Sequence, residues 1–229
     1  MGCASGARRH SREEARPGEA IAAASRAADD YARIQGPDAP DALTARSYLA
    51  SARRAAGDLA AATPLHEQNL ADSERVLGAE HPDTLVARAN LAYLLALQGQ
   101  PARALELHER NLADYERVHG PGHPHTVNAR ANLASTYRDL GDLPRAIDLH
   151  RQTVADYARV FGIDNAETVT ARSNLAYALQ LAGDLPAAIE LHTQVLIDRE
   201  RLYGPDHNFT EIARRLLDTA QREASRSEH

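Results

Sequence analysis

The stretch HPDTLVARANLAYLLALQGQPARALELHERNLADYERVHG runs from His81 to Gly120. Forty-two residues on, at His123, HPHTVNARANLASTYRDLGDLPRAIDLHRQTVADYARVFG begins and repeats most of its landmarks. Glycines keep that 42-residue spacing at Gly36, Gly78, Gly120, Gly162 and Gly204, and again at Gly57, Gly99, Gly141 and Gly183. Histidines keep it at His66, His108, His150 and His192, and arginines at Arg46, Arg88, Arg130, Arg172 and Arg214. Alanines follow in two registers, Ala50, Ala92, Ala134, Ala176 and Ala62, Ala104, Ala146, Ala188. So many series with one spacing mark a true internal repeat, and a period near 40 residues points to stacked supersecondary units.

Each unit reads as two helices. In the third, Pro124 occupies a first helical position, and Val127, Ala131, Leu133, Ala134, Tyr137 and Leu140 follow at helical spacing. Gly141-Asp142 ends that helix. A second then runs through Pro144 with an apolar stripe of Ala146, Ile147, Leu149, Val154, Tyr157 and Val160, closed by Gly162. In the fourth unit Asn165 and Glu167 place a capping side chain and an acid at the positive end of a helix. No β-branched alternation is present, so the fold class is all-α. Neither helix of a pair hides its stripe alone, and stacking the pairs does, which makes a solenoid with nearest-neighbour contacts.

The expected organisation is a flexible segment over 1–16 and one repeat array over 17–224. Within it lie a half-repeat at 17–35, repeats at 36–77, 78–119, 120–161 and 162–203, a capping helix at 206–224, and then a short tail at 225–229. That makes about ten helices. Aromatic residues are only 4% of the chain, so Ala, Leu, Ile and Val must pack the core.

The pattern Arg130, Leu133, Ala134, Tyr137, Ala146 and His150 resembles the tetratricopeptide repeat, with Arg in place of its Trp and His in place of its Phe. The long period and the HPDTL…NLA…G…A…LH…LG wording resemble the kinesin light chain-like subclass found beside regulatory domains in actinobacteria. This resemblance implies a right-handed α-α superhelix whose first helices line a concave groove. It implies that Tyr48, Arg54, Asn90, Tyr93, Asn132, Ser135, Arg138, Asn174, Tyr177 and Gln180 face a partner there. Asn amides offer donor and acceptor to a peptide backbone, and Tyr adds rigid area with a polar tip. The same Asn ladder equally serves to hydrogen-bond neighbouring helices in register. The carboxylate clamp of other tetratricopeptide arrays does not carry over, because Ala89 and Ala131 stand where its lysines belong.

Other chemistry has little support. All 26 basic residues are Arg and no Lys is present, which rules out a P-loop. A formal charge of −6 argues against nucleic acid. No apolar run suits a membrane span, Cys3 is the only cysteine, and Gly6 stands where acylation at Met1-Gly2-Cys3 needs Ser or Thr. The repeated histidines are expected to fill inter-helix gaps with one nitrogen hydrogen-bonded, spaced too widely to share a metal. His123-Pro124-His125 is weighed as a ligand pair and set aside. The Arg series is expected to pair with acids of neighbouring helices. No catalytic residues, metal or cofactor are therefore expected. The function expected is a cytoplasmic, bacterial, non-catalytic module that binds a protein or peptide and contacts neither nucleic acid nor membrane. The alternative is a regulatory sensor in which a peptide or small signalling ligand alters the array. A homodimer through the terminal repeats is a further expectation.

Overall fold

A computed structural model describes residues 4–227, with side chains described from Pro17 onward. The described residues form ten helices and no strand: α1 (Ala4–Gln35), α2 (Pro40–Ala55), α3 (Leu59–Val76), α4 (Pro82–Leu97), α5 (Pro101–His119), α6 (Pro124–Asp139), α7 (Leu143–Phe161), α8 (Ala166–Leu181), α9 (Leu185–Tyr203) and α10 (Asn208–Ser227). The acylation question at Met1-Gly2-Cys3 lies outside them. α1 begins at Ala4, ahead of the Pro17 that opens the expected half-repeat, and α10 runs to Ser227, past the expected end at 224.

The helix boundaries follow from short-range chemistry that recurs with the period. Pro40, Pro82 and Pro124 open first helices, where the missing N–H costs nothing. His81 and His123 cap through Nδ1, and Asn165 through Oδ1, each accepting from the backbone N–H two residues on. Second helices start behind Asp58, Asp142 and Asp184, whose carboxylates accept from the backbone N–H of Ala61, Arg145 and Ala187. Both glycine series have positive φ, from 70° at Gly99 to 97° at Gly36, which reverses the chain at little cost only without a Cβ.

The chain gathers into two compact units, Met1–Leu107 and His108–His229. In the first, α2 packs on α1 and α3, and α3 on α4. Its core joins Leu70, Ala87, Leu91, Leu95 and Ala104. In the second, α6 to α10 pack each on the next. Clusters there form around Val127, Tyr157 and Ala171, around Leu175, Leu179 and Ala188, and around Val169, Val195 and Ala213. All eight alanines of the two periodic registers are fully buried, from Ala50 to Ala188. They let helix backbones approach, and the leucines beside them each contribute about 1.5–3 kcal/mol by burial. Leu140 and Val160, expected in the stripes, are instead 41% and 37% exposed because they lie in the last turns, beyond the packed face.

The arginine series is paired internally, as its excess of nearby acid predicts. Arg46, Arg130 and Arg172 each bond the Asp 26 residues ahead: Asp72, Asp156 and Asp198. Each also donates to a loop carbonyl nine residues behind, that of Pro37, Pro121 or Ile163. Arg88 reaches Glu74 at 2.9 Å and the Ala79 carbonyl at 3.2 Å. A second arginine on the same helix, Arg75, Arg159 or Arg201, closes on the other oxygen of each Asp at 3.0–3.3 Å. One carboxylate thus ties a buried first-helix arginine to its own second helix.

Candidate functional site

What remains after this pairing is the outward surface of the first helices. In the first unit a pocket of about 250 Å³ lies among α2, α3 and α4. Pro40, Leu43, Leu77 and Val86 give it apolar walls, while Ser47, Ser51, Ser73, Asp83 and Asn90 supply polar edges. Asn69 also lines it, is only 3% exposed, and has no hydrogen-bond partner for its Oδ1. That Oδ1 is itself shut off from solvent, so an incoming donor pairs with it only if the amide turns toward the pocket. Tyr48, 68% exposed, stands between this pocket and a second one against Ala23, Ala27 and Tyr31 of α1. One turn along, the Arg54 guanidinium sits 5.4 Å over the ring of Tyr93, which is itself 47% exposed.

The second unit repeats part of this arrangement. Arg138 lies 5.4 Å over the Tyr177 ring and also holds Asp139 at 2.8 Å. Asn132 is exposed, and Ser135 and Asn174 are half-buried. Among the described residues, no side-chain hydrogen bond joins Asn90, Asn132 or Asn174 to a neighbouring helix. Gln180 departs from the expectation. It is buried, donates to Glu223 at 2.8 Å and faces His192 Nε2 at 3.2 Å, so it ties α8 to α9 and α10 and does not offer itself to a partner.

Sequence reasoning passed over Asn69, because it lies on a second helix, where side chains are expected to pack. The signal was there: the period aligns Asn69 and Asn111 with Thr153 and Val195, a polar amide in a packing register.

The histidine ladder is buried, from 0% exposed at His150 and His192 to 3% at His108. Burial drives all four imidazoles toward the neutral form, His108 and His150 down to about 4, and Arg54 and Arg138 add to this at His66 and His150. The expected hydrogen bond to one nitrogen is found at His192. At His66 and His150 both nitrogens are buried without a hydrogen-bond partner. These rings fill space. Among the described residues, no group of three or more His, Cys, Asp or Glu could hold a metal ion. No described helix is long and apolar enough to cross a membrane.

Repeating helical hairpins with capped, glycine-terminated turns and a first-helix surface left open define a helical repeat protein. The tetratricopeptide repeat pattern matches residues 41–110 and 86–159, and a further tetratricopeptide repeat pattern matches 168–208. The chain belongs to the tetratricopeptide repeat family. Within that family it is similar to kinesin light chain-like proteins. It is 27% identical to a Podosopora anserina protein described as a kinesin light chain with nearly identical TPR-like repeats, with a TM-score of 0.72 over 85% of this chain and 92% of that one. It shares the fold of BtubC (BKLC) from P. vanneervenii, at 20% identity and a TM-score of 0.71 over 93% of both chains. A search of curated proteins returns no match.

Proposed function

We propose that the chain is a non-catalytic interaction module that binds a peptide or protein segment on the open face of its first helices. In this reading residues 17–224 act as one repeat array in a cytoplasmic, bacterial setting. The observation that carries it is the α2–α3–α4 pocket, lined by apolar walls, by Asn90 and by Asn69, whose Oδ1 is buried and unpaired. An extended segment would seat one apolar side chain between Leu43 and Val86 and, as the Asn69 amide turns toward the pocket, donate a backbone N–H to it. Asn90 would take a second backbone group, and Tyr48 would cover the segment from the α1 side. Tetratricopeptide repeats generally serve protein interaction, which supports the reading. The arginines of the buried series are committed to their acids, so affinity here rests on shape and amide bonding more than on charge.

Selection from a displayed library of random peptides tests this. The wild-type chain enriches a common motif, and the Tyr48→Ala/Asn69→Leu variant loses it at least tenfold. Equal enrichment by a folded variant would refute the pocket's role. Stabilisation of the wild type by a small metabolite, with no peptide enriched, would favour the regulatory sensor instead.

A further inference from the structure

The 42-residue period puts Tyr31, Ser73, Tyr115, Tyr157 and Arg199 at one position of successive second helices. Four of these side chains are long, and Ser73 is the exception. In the second unit the long ones are buried. The Tyr157 ring packs with Val127 of α6 and Ala171 of α8, and its hydroxyl donates to Asn128. The Tyr115 ring lies 6.0 Å from that of His125, at the start of α6. Arg199 fills the corresponding place between α9 and α10, where it donates to the Phe209 carbonyl at 2.8 Å and sits 5.7 Å over the Phe209 ring. Each of these side chains fills, from inside, the space between its second helix and the first helix that follows.

Ser73 leaves that space open. The counterparts of Val127, Asn128 and Phe161 in the first unit are Leu43, Thr44 and Leu77. All three line the α2–α3–α4 pocket together with Ser73 itself. The pocket therefore lies where the Tyr157 ring lies two hairpins later. Apolar cavities of about 150 Å³ accept benzene, so one of about 250 Å³ has room for a phenol ring.

We propose that this pocket is a socket for one aromatic side chain of the bound segment, tyrosine above all, and that Ser73 is the residue that opens it. The proposal rests on the reading that the open face binds a peptide, and it adds the class of side chain that anchors the peptide. A tyrosine entering from outside takes the contacts that Tyr157 makes from within. Its ring lies on Leu43, its edge approaches Leu77 as Tyr157 approaches Phe161 at 5.8 Å, and its hydroxyl reaches Thr44. A leucine fills less of the volume and offers Thr44 no hydrogen bond. Because Tyr115, Tyr157 and Arg199 occupy the corresponding places, the segment is held at this hairpin and not at a later one.

The test uses N-acetyl-tyrosinamide and N-acetyl-leucinamide as probes of the full chain, followed by backbone amide NMR. The tyrosine probe should shift the signals of Thr44, Ser47 and Asn90, and should bind about tenfold more tightly than the leucine probe. Ser73→Tyr restores the side chain of the other hairpins and should weaken the tyrosine probe at least tenfold while the thermal midpoint is kept or raised. Ser73→Ala, which removes the hydroxyl without filling the space, should bind as the wild type does. No shift with either probe, equal binding of the two by the wild type, or undiminished binding by a folded Ser73→Tyr chain would each overturn the proposal. The comparison of probes on the wild type decides alone if Ser73→Tyr does not fold. A selected peptide motif anchored on Leu, Ile or Val would overturn the socket and leave the interaction module standing. A chain that binds the tyrosine probe yet enriches no peptide would do the reverse.

Discussion

Replacing His150 with phenylalanine should remove part of the acid sensitivity of the second unit. His150 is fully buried, both its nitrogens lack partners, and burial lowers its imidazole from 6.5 to about 4. A group whose folded value is depressed contributes stability that is present above the unfolded value and lost as the pH falls toward the folded one. For values of 6.5 and about 4, the loss on going from pH 7 to pH 5 is about 2 kcal/mol. His108 lies in the same unit with the same folded value and adds about as much. His192 is shifted in the same direction. The lowered carboxylates Asp38, Asp72 and Asp164 titrate below 3.8 and do not enter this window. Urea unfolding followed by circular dichroism at both pH values gives the comparison. Because each protein is compared with itself, any change in packing from the larger ring cancels. The wild type should lose about 2 kcal/mol more between pH 7 and pH 5 than His150→Phe does. Equal losses would show that the buried imidazole is not what senses the acid.

Asp156→Ala removes one of the two acids paired with the nearly buried Arg130, leaving Glu116 at 3.1 Å, and should destabilise the second unit by about 1.5–3 kcal/mol, read from the urea midpoint. Glu211→Ala, which breaks an exposed pair with Arg215, should cost less than about 0.5 kcal/mol. Gly141→Ala meets no atom within 4 Å, so its cost of about 1 kcal/mol should come from the φ of 81° alone, and Gly122→Ala, at an ordinary φ, should lack that backbone cost. Thermal unfolding distinguishes the two. Gln180→Ala should lower stability through the lost contacts to Glu223 and His192 while leaving peptide selection unaltered.

The hairpins were legible because their signals are local. Proline at N1, Asp or His at a cap and glycine at positive φ act within a few residues and recur with the period. The arginine pairing was legible in kind, since a chain rich in acid offers partners, yet its geometry joins residues 26 apart and appears only in the folded chain. Two features escaped for the same physical reason. Gln180 looks like a member of the open face until α10 brings Glu223 against it. Asn69 looks like a packing residue until the α2–α4 gap opens beside it. Position along one helix is written in the periodicity, whereas the company a side chain keeps depends on elements remote in sequence.

The decisive experiment is a crystal structure of the chain with its best selected peptide. An extended segment is expected, with an apolar side chain between Leu43 and Val86 and a backbone N–H donated to the Asn69 amide, turned toward the pocket. A peptide bound on another surface, with Asn69 left unpaired, would contradict the proposed function.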